Sequence, residues 1–282
     1  MQKVFVTSLR PTPLDTLMFP TPETKYGSLW SHDELVLALY LYCQIPFAQT
    51  KAGNPKVQEL ARILGRTPSS VARKLGNFGA FDPLLAQRGI VGLAHFSKAD
   101  REVWQEFFHR WEALVEESER LFTERNAPDL FDPEPEPLLL PALTFPTGPT
   151  VQSRLVLTRV CQSFFRRAVL ASYGQRCCLC ALDLPSLLVA SHIKPWALCE
   201  ESRADPENGL CLCALHDKAF DRGLISVTEN YQILIAPIVK KSKAPFTEVA
   251  LTAFESGPIH LPTRFAPKST YLQWHRENVF QV

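Results

Sequence analysis

Between Asn126 and Thr150 the chain carries seven prolines and no basic residue. Proline restricts φ and offers no amide donor, so such a run can be neither helix interior nor central strand. The stretch is expected to be an extended linker, tethered in part by Phe131, the Leu138–Leu140 run and Phe145. It separates a helical domain, residues 1–125, from a second domain, residues 151–282, and 282 residues suffice for two. No internal repeat is visible. There is no apolar run of about 18 residues, so no membrane span is expected. Met1 to Pro20 lacks the charged and apolar regions of a secretion signal, which points to the cytoplasm.

The first domain reads as helical. Ser31 and Glu34 fit a capping box ahead of a strongly apolar run from Leu35 to Tyr42. Asn54-Pro55 opens a second helix, in which Val57, Leu60, Ala61 and Leu64 follow the i, i+3, i+4, i+7 spacing. Gly65 ends it, and Thr67-Pro68 starts a third helix with Val71, Ala72 and Leu75 inward. Two short helices across a glycine turn match a helix-turn-helix pattern. In a DNA-binding unit of that kind Arg66, Ser69, Ser70, Arg73 and Lys74 would meet a groove or its phosphates; the other reading is a plain helical pair. A further helix is expected from Lys98 to Arg125, with Val103, Trp104, Phe107, Phe108, Trp111, Leu114 and Leu121 for packing.

The net charge of +1 does not mark a nucleic-acid binder, but it is unevenly spread. From residue 151 onward 15 Lys and Arg face 11 Asp and Glu, a net of +4, which leaves −3 for the first 150 residues. Lys51 to Phe78 nevertheless holds six basic side chains and one acid, Glu59. Five of the eight cysteines, Cys177, Cys178, Cys180, Cys211 and Cys213, fall in two short clusters. Clustered cysteines in a reducing compartment point to metal before disulfides. Cys177, Cys180, Cys211 and Cys213 are the candidate ligands of a structural zinc, with buried free thiols as the alternative. Cys43, Cys161 and Cys199 are expected to be ordinary buried residues.

The most informative segment runs from Cys177 to Ile235. Ser186 to Ile193 reads as a strand ending at a histidine, Ala214 to Asp221 as a helix, and Tyr231 to Ile235 as another strand. Together they suit a small ββα unit holding His192, Asn208 and His216, in an overall α+β chain. The residues Ser191-His192-Ile193-Lys194-Pro195-Trp196, Asn208-Gly209-Leu210, His216 and Phe220-Asp221-Arg222-Gly223-Leu224-Ile225 resemble the HNH endonuclease superfamily, in particular bacterial restriction-type members.

The resemblance implies a ββα-metal nuclease that hydrolyses DNA phosphodiesters with a divalent cation (Mg2+, Mn2+, Ni2+ or Zn2+). A neutral imidazole can take a proton from water, which suits His192 as general base. By resemblance His216 is a metal ligand, and Asn208 orients the base or reaches the metal. Many relatives place Asp or His immediately before the base, where this chain has Ser191. Hard cations prefer carboxylates, so the missing ligand falls to Asp221, with Asp217, Asp205 or water as alternatives. Asp221 reads equally as a cap for the Arg222-Gly223 turn. Lys194, Arg222 and Arg203 are candidate phosphate contacts, weighed against simple surface charge. The expected role is restriction or defence against foreign DNA, with double-strand cleavage implying a homodimer. The rival readings are a non-catalytic DNA-binding or regulatory protein on the same scaffold, and a nuclease for RNA or structured nucleic acid.

Overall fold

A computed structural model describes residues 27–90, 96–127, 130–131, 149–198 and 202–282. Most of the proline-rich linker, and Cys199, lie outside these residues. The helical half is built around α1 (His32–Gln44), entered through the expected capping box of Ser31 and Glu34. Every residue from Leu35 to Cys43 is essentially inaccessible, so α1 is apolar all round and needs neighbours on all sides. They are α2 (Pro55–Leu64), α3 (Pro68–Gly79), α5 (Lys98–Phe107) and α6 (Trp111–Glu124), with the short α4 (Pro83–Gln87) between α3 and α5. Asn54 caps α2, Thr67 caps α3, and Gly65 takes the left-handed conformation between them, as the turn requires.

The single helix expected over residues 98–125 is two helices, broken where His109 adopts φ +69°. A straight helix of that length would span about 40 Å. That is twice the reach of the 13-residue α1, and the break lets both halves pack on it.

The long α7 (Pro149–Ser172) joins the two halves of the molecule. Phe164 and Ala168 pack into the helical core, while the adjacent Phe165 and Val169 pack into a second core. That second core covers an antiparallel pair, β1 (Leu188–His192) and β2 (Gly209–Cys213), with α8 (Ala214–Asp221) turning back across it. The register runs from Leu188 opposite Cys213 to His192 opposite Gly209. Gly209 is dictated by proximity: a Cβ there would lie 2.4 Å from Val169 Cγ2 and 3.0 Å from Phe165 Cζ. A second antiparallel pair, β3 (Ile225–Val227) and β4 (Ile233–Ile235), is followed by the short α9 (Pro237–Lys240) and α10 (Pro245–Ala250). The closing α11 (Ser269–Asn278) packs on β3 through the buried Leu272 and His275.

Side-chain hydrogen bonds join the halves. The buried Arg264 guanidinium donates to the carbonyls of Tyr42 at 2.5 Å and Ile45 at 2.6 Å, ending α1 with positive charge where its own last turn has none. Arg167 Nε donates to Gln44 Oε1 at 2.7 Å. The indole Nε1 of Trp111 donates to Asp205 Oδ1 at 3.1 Å. No helix among the described residues is long and apolar enough to cross a membrane.

Candidate functional site

His192 ends β1, where the chain leaves the strand for the loop that returns to β2. Its ring lies flat on Phe165 of α7, centroids 3.7 Å apart, and meets the edge of Trp196 at 5.6 Å. Nε2 is 3.0 Å from the Arg203 carbonyl, which can only accept, so Nε2 carries the proton and Nδ1 is left with its lone pair. Burial pushes the imidazole down to about 4, against a smaller upward pull from the Arg203 carbonyl. His192 is therefore a neutral ring of one tautomer, half-buried, with one basic nitrogen to offer.

Asn208 is fully buried and spends its amide on the loop. Oδ1 accepts from Lys194 N at 2.8 Å, and Nδ2 donates to Lys194 O at 3.0 Å and to Ser202 O at 3.3 Å. Both ends of the side chain are engaged with the loop. It clamps the exit of β1 to the entry of β2 and so holds the backbone that carries His192.

His216 also departs from its expected place. It opens α8 beyond Cys213, and Cys213 pairs with Leu188, four residues along the strand from His192. At about 3.3 Å per residue, Leu188 is roughly 13 Å along the strand from His192. The Nε2 of His216 donates to Ala250 O at 2.9 Å, and Nδ1 points at Cys213 Sγ, 3.2 Å away, and Cys177 Sγ, 3.5 Å away. The ligand atoms of Cys177, Cys180, Cys213 and His216 all lie within 4.8 Å of one another. Cys211 is not in this group, and His216 replaces it as the fourth member. A signal for this was present: Cys213-x-x-His216 repeats the spacing of Cys177-x-x-Cys180.

The group fits a tetrahedral cation. Zinc at about 2.3 Å from sulfur and 2.0 Å from nitrogen sets ligand edges of roughly 3.5–3.8 Å. The observed separations of 3.2, 3.5 and 4.0 Å bracket that range. The bond from Nε2 to Ala250 fixes the tautomer that leaves Nδ1 to bind. Burial, with help from the neighbouring thiols, pushes Cys180 up to about 12.

Next to His192 on β1, the Ser191 side chain is 3% exposed and lies beside Asp217 of α8. Its hydroxyl lies near enough to Asp217 to favour the carboxylate but makes no hydrogen bond of full geometry. Asp217 and Asp221 are four residues apart and share one face of α8. Desolvation raises both carboxyls, and the charge of Asp221 raises Asp217 further. Two carboxylates and an under-used hydroxyl make an oxygen donor set suited to a hard divalent cation. Asp205, the remaining alternative ligand, instead accepts from Trp111, Lys268 and Tyr271.

Of the candidate DNA contacts, Arg66 is corrected. It is buried, paired with Glu34 at 2.6 Å, and donates to the carbonyls of Ser28 and Leu29. Lys74 is committed to the buried Asp100 at 2.7 Å. Ser69 and Arg73 are exposed on α3, with Ser70 half-buried beside them. Arg222 is exposed at the end of α8, and the Lys194 ammonium sits 6.0 Å from the Trp274 ring centre.

The strands, the helix and the motif histidines all fall in one segment that matches a known family. The family model described as HNH endonuclease matches residues 177–228. No curated protein matches the chain. One solved structure, a modification dependent TagI restriction endonuclease, aligns at 21% identity with a TM-score of 0.31. The alignment covers 41% of this chain and 37% of that one, so the chain spans well under half of that protein. Residues 177–228, holding β1, β2 and α8 with His192, Asn208 and His216, are thus the part of the chain that is similar to HNH endonucleases.

Proposed function

We propose that the protein is a metal-dependent endonuclease that hydrolyses DNA phosphodiesters, with the Nδ1 atom of His192 as general base. The observation that carries this reading is the bond from His192 Nε2 to the Arg203 carbonyl, which leaves a neutral, oriented acceptor at the end of β1. A water hydrogen-bonded to Nδ1 loses its proton there as its oxygen attacks phosphorus. The P–O3′ bond breaks, leaving a 5′-phosphate, and the departing 3′ oxygen takes a proton from solvent to become the 3′-hydroxyl. Asp217, Asp221 and Ser191 would hold a divalent cation, which when bound supplies Lewis-acid stabilisation of the charged phosphorus centre and of the departing oxygen. Asn208 keeps the His192 loop in place. Lys218 and Arg222, exposed on α8 beside the carboxylates, supply phosphate contacts, with Ser69 and Arg73 on α3 as a second contact surface.

Cys177, Cys180, Cys213 and His216 hold a structural zinc in this reading, which suits a reducing cytoplasm. The role that fits such an enzyme is restriction of foreign DNA, with two copies acting together where both strands are cut. The test is supercoiled-plasmid cleavage by wild type, His192→Ala and Asp217→Asn across Mg2+, Mn2+, Ni2+ and Zn2+, with an EDTA control. Nicking or linearisation that needs metal and disappears in both variants is the expected result. Tight DNA binding without cleavage under any metal would favour a binding protein, and cleavage confined to RNA would replace the substrate.

A further inference from the structure

The bond that sets the His192 tautomer comes from a backbone carbonyl, so its accuracy depends on what holds Arg203 in place. Residues 202–208 are held from both sides. On the nuclease side, Asn208 Nδ2 reaches Ser202 O at 3.3 Å and Ser202 Oγ at 3.4 Å, and Asn208 O accepts from Ile193 N at 2.9 Å. On the other side, Asp205 is 4% exposed and accepts four hydrogen bonds. Its Oδ1 takes Glu207 N at 3.0 Å and Trp111 Nε1 at 3.1 Å; its Oδ2 takes Lys268 Nζ at 2.9 Å and Tyr271 OH at 3.1 Å. The donor from the helical half is Trp111, the first residue of α6, presented by the left-handed turn at His109 and wedged edge-on against Phe108 and Phe265.

We propose that Trp111 and Asp205 are positioning residues for hydrolysis. Their hydrogen bond ties the helical half to the 202–208 segment, sets the Arg203 carbonyl, and through it holds His192 in the Nε2–H tautomer. This rests on the reading of His192 as the base. It gives the helical half a part in the chemical step separate from any contact with DNA. A buried carboxylate that loses one donor shifts toward those that remain, here Lys268 and Tyr271, and carries Arg203 with it. A base in the wrong tautomer presents an N–H where a lone pair is needed.

The test uses the full chain with 15N-labelled histidine and compares Trp111→Phe with Trp104→Phe. Both remove an indole from the same buried cluster, but Trp104 is not a donor to Asp205. In wild type and Trp104→Phe, the ring-nitrogen shifts of His192 (assigned with His192→Gln) should report one tautomer. In Trp111→Phe they should move toward a mixture, and kcat for plasmid nicking should fall about tenfold with KM unchanged. An unshifted tautomer in Trp111→Phe, or an equal shift in Trp104→Phe, overturns the proposal. Should Trp111→Phe not fold, Tyr271→Phe removes a donor from the opposite oxygen of Asp205 and is read the same way. His192→Ala separates the two ideas. If it cleaves like wild type while Trp111→Phe still shifts the tautomer, the base lies elsewhere, and Trp111 and Asp205 hold the His192 ring without a part in hydrolysis.

Discussion

A histidine stacked flat on Phe165 and bonded to a carbonyl is held like a structural residue, yet in the proposed reaction that holding is what fits it to act as a base. In that reaction the attacking water has no acceptor without Nδ1, so His192→Ala should lower the nicking rate at least a hundredfold while plasmid binding by gel shift is retained. Because burial pushes the ring down to about 4, His192 is unprotonated throughout the neutral range. The acid limb of kcat/KM should therefore fall well below pH 6.5; a midpoint near 6.5 would move the base to a more exposed histidine. Asp217→Asn keeps the shape but removes one charged oxygen, and should raise the metal concentration for half-maximal rate by about tenfold or more. At this scale the sequence was partly legible. His192 ends a strand, as its surrounding residues suggest, but His216 lies among the thiols, and only the fold shows that Cys177 and Cys180 face it. Arg66 looked like a surface cation because the burial of Glu34, its partner 32 residues earlier, leaves no mark on local spacing.

The β1–β2 pair with α8 is a small element that has little core of its own beyond the face that α7 covers. Its far end is gathered by the Cys177, Cys180, Cys213 and His216 group, which joins the turn before β1 to the start of α8. One zinc per chain is expected by metal analysis. Cys213→Ser should lose it and lower the thermal midpoint by several degrees, whereas Cys211→Ser should keep it. Gly209→Ala places a methyl against Val169 and Phe165, the ring on which His192 rests. It should cost about 1–3 kcal/mol in urea unfolding and reduce cleavage as well. Elements were more legible than side-chain partners. The caps of α1, α2 and α3 and the bounds of α8 follow from local residues. The break between α5 and α6 does not, because it answers to the length of α1.

At the scale of the molecule, acid is the natural stress. His192 and His275 both have pKa values of about 4 in the fold, with desolvation the first cause, against about 6.5 when unfolded. The unfolded chain therefore binds more protons between those values, so stability is complete above pH 6.5 and is lost progressively as pH falls toward 4. For His275, bonded to Ser226 and Phe220, the full loss is on the order of 3 kcal/mol, and about 2 kcal/mol of it should appear between urea unfolding at pH 7.5 and at 5.0. A His275→Gln variant should be less stable at pH 7.5 and lose less on acidification.

The double-sided α7 has a practical consequence. Phe164 and Phe165 are sequence neighbours that serve different interiors, so this helix is a party wall. A fragment beginning at residue 151 would keep the wall but strip one side bare, leaving Phe164, Ala168 and Phe265 open to water. Attempts to isolate the nuclease half by cutting at the proline-rich stretch should yield material that self-associates through that bared side. Replacing Phe164 with a polar residue in the fragment would be the first remedy.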